Sequence, residues 1–505
     1  MYGNMMQRKA LVLSFSWIFL LFLVQIALLR TLVVHQKQPV EQGEKLRVAY
    51  YPSQLVFSAL SPYGKGFEAE IVECFCLKYG LTPVWRKVSS FTEAFELLRS
   101  GQVDLFVTGG HIPSAKLAGE ATAPLTVRQK ILSFLKISPL YSCVAGPSYY
   151  QDNILLLHSE KFLPLRQESD LCASSILLPP SAIWEDWLGD NFPAFKQCDS
   201  NLISYASHGE QTFLNMLDTE QARFGLMGKR LFACWQPFYP RILPSTELKN
   251  GFTLRCFWNT GDAQRSARLQ QFFQALPKIK AFAELKDRYF GFLPEQTDRY
   301  QLLHLKKTLQ KELPLYKDLI LAASKKYKID SLLFCALIYQ ESHFQRSAVS
   351  RTGVGGLLQL SLNTLHQLGL TNRFHPEQAI NGGANYLRLL WDSLEDMNLA
   401  AWDRLYFTLA SYNQGAGHLR DACRLAASQG LDPRKWQNVK KVFPLLTRPE
   451  YYQQSRHGYC RGYEAVTYVE SIRYYYYILY GLAFLELPES KDLAFLLQSR
   501  TGDWP

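Results

Sequence analysis

The sequence predicts two folded parts, an α/β region followed by a mainly helical one, and three observations carry that expectation. Short apolar runs alternate with amphipathic stretches from Lys45 onward. From Leu313 the apolar spacing becomes almost wholly helical, and a polar run containing Pro294 separates the two regimes. At 505 residues the chain can build two or three domains with sizeable cores, and 48% hydrophobic against 20% charged residues is ordinary for a folded protein. A formal net charge of +11 favours an anionic partner without choosing among nucleic acid, anionic lipid and a carboxylate-bearing wall polymer.

The N-terminus narrows that choice. Arg8 and Lys9 precede an apolar run from Ala10 to Leu29, long enough to span a bilayer, and Arg30 ends it. This order reads residues 1–36 as an export signal or a retained membrane anchor. The chain beyond that segment then lies outside the cytoplasm, so nucleic acid is excluded as a partner.

Next come the α/β elements. "LRVAYY" and "TPVWRKV" read as strands, "GFEAEIVECFCLKYG" as a helix closed by Gly80, "FTEAFELLRSG" as a short amphipathic helix closed by Gly101, and "VDLFVTGG" as a buried strand. The alternation argues for a mainly parallel sheet, which binds ligands at the carboxyl ends of its strands. The ten cysteines show no C-x-x-C and no ligand spacing, so no metal or cofactor is expected, and disulfides cannot be assigned. The stretch 292–312 reads as a linker.

In the helical part, "KIDSLLFCALIYQESHF" offers Asp330 as an N-cap, and Leu333, Leu337 and Glu341 lie four apart on one helix face. A carboxyl on an apolar face is desolvated, which raises its pKa and suits it to protonate a leaving oxygen. His343 points away from Glu341 and is read as a surface residue. Gly353, Gly355 and Gly356 then allow backbone to approach a ligand, Gln359 adds an amide, and "AINGGANYL" and "LASYNQGAGHL" each place Asn beside Gly, the second with Tyr412. Amides, rings and close backbone suit a saccharide groove.

The segments "GFEAEIVECFCLKYG", "ELLRSGQVDLFVTGG" and "LQQFFQALPKIKAFAELKDRYFG" resemble the type 2 periplasmic-binding-protein-like fold of amino-acid-binding proteins, and 45–291 is assigned to it. Where that family carries a clamping Arg for the ligand carboxylate, counting from Asp104 gives Lys116, which lacks the planar fork. The resemblance implies an amino-acid or muropeptide ligand. A spacer or docking role is the alternative.

The motifs "ALIYQESHF", "SRTGVGGLLQLSLNTL", "AINGGANYL", "LASYNQGAG" and "YVESI" resemble, in order, the soluble-lytic-transglycosylase type of lytic transglycosylase domain, a mainly α lysozyme-like fold assigned to 313–505. This resemblance implies an enzyme cleaving the β-1,4 bond between N-acetylmuramic acid and N-acetylglucosamine of peptidoglycan, with Glu341 as acid and then base and a 1,6-anhydro product. It also implies that Gln359, Tyr412, Asn413, Glu464 and Tyr468 are groove residues. Tyr412 and Asn413 would orient the N-acetyl sugar and Glu464 would give a supporting hydrogen bond, while Tyr468 reads equally as a packed ring of a Tyr-rich helix. Gln414-Gly415-Ala416-Gly417 and Ser361-Leu362 depart from the usual motif. A periplasmic enzyme held peripherally at the outer membrane is implied, with an inner-membrane anchor through residues 10–29 as the alternative. The rival functions are a non-catalytic sensor of muropeptides or amino acids, and a lysozyme-like hydrolase of the same fold.

Overall fold

The computed structural model describes residues 45–110, 141–172, 174–179, 183–197, 201–204, 209–485, 490–498 and 504. The expected export segment and Lys116 lie outside the described residues.

Two five-stranded sheets build the first half. The first has the order β2-β1-β3-β10-β4, from β1 (Lys45–Tyr50), β2 (Thr82–Lys87), β3 (Leu105–Val107), β4 (Cys143–Ala145) and β10 (Cys256–Asn259). The second has the order β7-β6-β8-β5-β9, from β5 (Tyr150–Ser159), β6 (Ser175–Leu178), β7 (Asn201–Ser204), β8 (Phe224–Gly228) and β9 (Ile242–Leu254). The chain passes between sheets twice, from β4 to β5 and from β9 to β10. Gly146 N–H donates to Cys256 O at 2.8 Å and Tyr149 N–H to Leu254 O at 3.1 Å, so the two crossings are laced to each other. Two lobes joined by paired crossing strands form the periplasmic-binding-protein-like domain.

The sheets are mixed rather than mainly parallel. β1 pairs parallel with β2 and β3, but β10 runs antiparallel to β3 and β4, and β5 runs antiparallel to β8 and β9. The crossings account for this, because the chain leaves the first sheet through β4 and returns through β10, so the strands that continue the two crossings run antiparallel to each other. Helix α1 (Phe67–Tyr79) ends as expected at Gly80, whose φ of 67° is left-handed, and α2 (Phe91–Arg99) is capped by Ser90 accepting from Glu93 N–H. The closing helix is two: α3 (Ala263–Ala275) and α4 (Lys280–Phe290), parted around Pro277, which cannot supply the donor a continuous helix needs.

The stretch expected as a linker is helical from Arg299. Asp298 accepts from Tyr300 N–H at 2.9 Å and from Gln301 N–H at 3.2 Å, starting α5 (Arg299–Tyr327), 29 residues long. Leu302, Leu305, Leu309 and Leu313 bury one continuous stripe, and that burial sustains the helix through polar sequence that gave no strand or core signal. After it come α6 (Ser331–Ser342), α7 (Pro376–Asp392), α8 (Ala401–Gln414), α9 (Ala416–Ser428), α10 (Trp436–Val442) and α11 (Gly462–Phe484), the last packed along α6.

The halves share buried contacts. The Arg473 guanidinium on α11 is 1% exposed and pairs with Glu470 at 2.6 Å and Asp287 of α4 at 3.4 Å, while also donating to Asp287 O at 2.8 Å. Tyr63 OH donates to Arg473 O at 2.6 Å, and Tyr477 OH to Cys234 O at 2.7 Å. A charge this deep is held by its two carboxylates and the backbone carbonyl of Asp287, while its buried Nε has no hydrogen-bond partner among the described residues.

Candidate functional site

Helix α6 is unusual for its residue content. Every residue from Ser331 to Tyr339 is buried, so this stretch has no solvent face at all, and Leu333 and Leu337 are surrounded like their neighbours. Asp330 starts it as expected, accepting from Leu332 N–H at 3.0 Å and Leu333 N–H at 2.9 Å, and its other oxygen accepts from Tyr476 OH at 3.0 Å. The helix stops at His343, which takes a left-handed φ of 50°. Glu341 thus sits in the last turn of an apolar rod, half-buried, where protein gives way to solvent.

The Glu341 carboxyl meets the hydroxyl of Tyr468, which reaches it from α11. Burial is the larger influence and pushes the Glu341 pKa up to about 8; the Tyr468 hydrogen bond pulls it partly back. The acid therefore holds its proton at neutral pH. Both Tyr468 and the nearby Tyr412 have hydroxyls raised well above the usual phenol range, by burial first and then by Glu341, so they stay neutral donors.

The glycine-rich turn is fastened beside the acid. Ser342 Oγ donates to Leu357 O and Tyr412 OH to Leu358 O, each at 2.9 Å. Isolated bridges pair Gly355 with Val349 and Leu360, which closes the turn on itself. Gly356 has a φ of 83°, and a Cβ there would stand 2.0 Å from Arg373 O, so only glycine fits. The Asn-Gly pair of "AINGGANYL" is no turn: it lies inside α7, where a Cβ on Gly383 would stand 2.3 Å from Leu358 Cγ. These glycines let a helix touch the glycine-rich turn, a packing purpose that the sequence motif disguised as groove chemistry.

The other groove residues expected from sequence divide. Gln359 spends its amide N–H groups on Ala348 O at 3.1 Å and Gly356 O at 2.9 Å; it braces the turn instead of presenting those donors to a ligand. Asn413 is exposed at the mouth and accepts from Gln414 Nε2 at 2.8 Å. Glu464 lies one helical turn before Tyr468 but pairs with Arg461 at 2.9 Å, so its hydrogen bond supports the start of α11 and does not reach Glu341. His343 is exposed and stacks on Tyr339 at 4.6 Å.

Two further residues join the site that the sequence reading did not single out, although both lie inside its motifs: Ser342, which ties the acid's helix to the turn, and Tyr386, whose ring lies 5.3 Å from that of Tyr412. Treating "AINGGANYL" as helix would have put Tyr386 on the face of Gly382 and Gly383. Among the described residues no three His, Cys, Asp or Glu side chains converge to hold a metal ion, and no helix is long and apolar enough to cross a membrane.

A carboxyl at the end of a buried helix is thus closed in by a backbone turn and two tyrosines, and the Transglycosylase SLT domain family matches residues 318–433 of this chain. Glu341, Gln359, Tyr412 and Asn413 fall inside that match; Glu464 and Tyr468 fall beyond it. Over 463 residues the chain is 30% identical to membrane-bound lytic murein transglycosylase F of Shewanella pealeana, covering 87% of this chain and 88% of the relative. The protein of that name from Shewanella loihica is 29% identical over 415 residues, 81% of this chain and 80% of the relative. The chain belongs to the membrane-bound lytic murein transglycosylase F family. An ancestral arginine-binding protein bound to arginine aligns with 50% of this chain and 99% of its own, at 12% identity and a TM-score of 0.38.

Proposed function

We propose that Glu341 is the acid, and then the base, of a peptidoglycan lytic transglycosylase acting on the β-1,4 bond between N-acetylmuramic acid and N-acetylglucosamine. The observation that carries this reading is the Glu341 carboxyl in the last turn of the buried helix α6, met by the hydroxyl of Tyr468, where burial raises its pKa and no neighbouring carboxylate among the described residues contributes to the shift. Glycosidases that consume water place two carboxylates about the bond. Here one group serves twice, which requires a pKa near working pH.

Glu341 first gives its proton to the glycosidic oxygen as the C1–O bond breaks. The substrate's N-acetyl oxygen steadies the anomeric carbon. The ionised Glu341 then takes the proton of the C6 hydroxyl as that oxygen bonds to C1, so no water enters and the 1,6-anhydro ring closes. Tyr468 holds the carboxyl in place at both stages, Tyr412 fixes the turn, and Asn413 and the Gln359 carbonyl are left to meet the sugar.

The division into a binding-protein-like domain at 45–291 and a transglycosylase domain at 313–505 belongs to this reading, as do an amino-acid or muropeptide ligand for the first domain and peripheral attachment to the outer membrane. The chain is a membrane-associated enzyme of the periplasm by its family. Purified sacculi supply the test. Wild type should release anhydromuropeptides that lack a reducing end, and Glu341→Gln should release none while keeping its circular dichroism. Products heavier by one water would make the protein a hydrolase, and activity retained in the variant would move the chemistry elsewhere.

A further inference from the structure

A second concavity opens beside the C-terminal end of the acid's helix. It encloses about 620 Å³ between α5 and the segment after α6, and its lining includes His304, Lys307, Lys311, His343 and Arg346. One acid, Glu312, enters it, and that carboxylate is already paired with Lys311 at 3.1 Å. Lys307 and Arg346 are exposed, and among the described residues neither forms a salt bridge. The stacked rings of Tyr316 and Phe344, 6.2 Å apart at 16°, form part of the wall. The cleft is thus a cationic trough with an aromatic side, and neither Glu341 nor any residue of the glycan groove lines it.

We propose that this cleft receives the carboxylate-bearing peptide arm of the glycan being cut, an inference that rests on the transglycosylase reading of Glu341. Geometry carries it. Helix α6 ends at Ser342, and His343, which lines the cleft, stands two residues beyond Glu341. A peptide extends about 3.3–3.6 Å per residue, so an arm of four residues reaches about 13 Å from its sugar, a length comparable with the roughly 10–12 Å diameter of a helix. Charge supports it: the arm carries several carboxylates, and Lys307 and Arg346 are the two cations with no acid of their own. The sugar whose bond breaks is the one that carries the arm. Binding the arm here would hold that sugar over Glu341, so the binding energy of a remote part of the substrate is applied to positioning.

The experiment compares Lys307→Ala/Arg346→Ala with wild type on intact sacculi and on glycan strands stripped of peptide by an amidase. The ratio of kcat/KM on peptide-bearing to peptide-free substrate should fall about tenfold in the variant, a factor equivalent to about 1.4 kcal/mol. The free tetrapeptide L-alanyl-γ-D-glutamyl-meso-diaminopimelyl-D-alanine should bind wild type by calorimetry and bind the variant at least about tenfold more weakly. An unchanged ratio, or an equal loss on both substrates, overturns the proposal. So does a variant that loses only its binding to anionic phospholipid vesicles, which would turn this face to a membrane. Wild type that cleaves neither substrate, yet binds the tetrapeptide at least about tenfold more tightly than the variant does, would sink the transglycosylase reading and leave the cleft standing.

Discussion

The hydroxyl of Tyr468, 127 residues further along the chain, rests on the carboxyl of Glu341. Burial keeps that carboxyl protonated and the tyrosine limits how far its pKa climbs. Removing the hydroxyl has a consequence of known sign. In Tyr468→Phe the lowering influence is gone, so the limb on which activity falls as Glu341 ionises should move to higher pH than the wild-type limb near 8. A pH profile of kcat on sacculi checks this, and a limb displaced to lower pH would refute it.

The same group should cost stability as pH rises. Its folded pKa of about 8 lies above the ordinary 4.5, so its contribution is fully present below about 4.5 and is lost as pH rises through about 8. Glu341→Gln does not titrate. Its melting temperature, compared with that of wild type, should gain progressively between pH 4.5 and 8 and then level off. Scanning calorimetry across that range would show a flat difference if the acid were ionised throughout.

Gln359 stands at a φ of 46° and donates to two backbone carbonyls. Gln359→Glu places a carboxylate against Ala348 O and Gly356 O, with no proton to give at neutral pH. We expect a loss of about 1–3 kcal/mol in urea denaturation, the usual penalty for unsatisfied buried groups. Activity should fall with it, because the turn beside Glu341 loosens. A change in activity at unaltered stability would return Gln359 to direct sugar contact.

Arg473 binds the two halves through Asp287. Arg473→Met leaves Glu470 and Asp287 with fewer partners at a buried contact, and such broken pairs cost about 3–5 kcal/mol. Denaturation followed by tryptophan fluorescence should register that loss. A change below about 1 kcal/mol would mean that the pair is worth no more than an exposed one.

Much of the site was legible in order along the chain. Asp330 announced the start of α6, the apolar run ending at Glu341 announced a desolvated acid, and Gly80 closed α1 as its type and position require. Each is a local matter, in which a residue's own backbone preference or its neighbours in sequence fix the outcome. Other signals misled for the same reason. Asn-Gly in α7 looked like groove chemistry because two residues say nothing of Leu358 packing against their helix. The run 292–312 looked like a linker because only the partners of Leu302, Leu305 and Leu309 reveal that they form a stripe.

By itself, then, the sequence determined the presence of an α/β part and a helical part, the position of the acid and the family resemblance, since these rest on composition, periodicity and motif order. Only tertiary structure decided what the acid touches and how the halves meet. Tyr468 could be a packed ring or a partner to Glu341, and nothing within its own helix distinguishes the two. That choice, like the pairing of Arg473 with Asp287 and the mixed direction of the sheets, depends on chain segments far apart in sequence, brought together because the burial of their apolar surfaces leaves no other arrangement for the polar groups they carry.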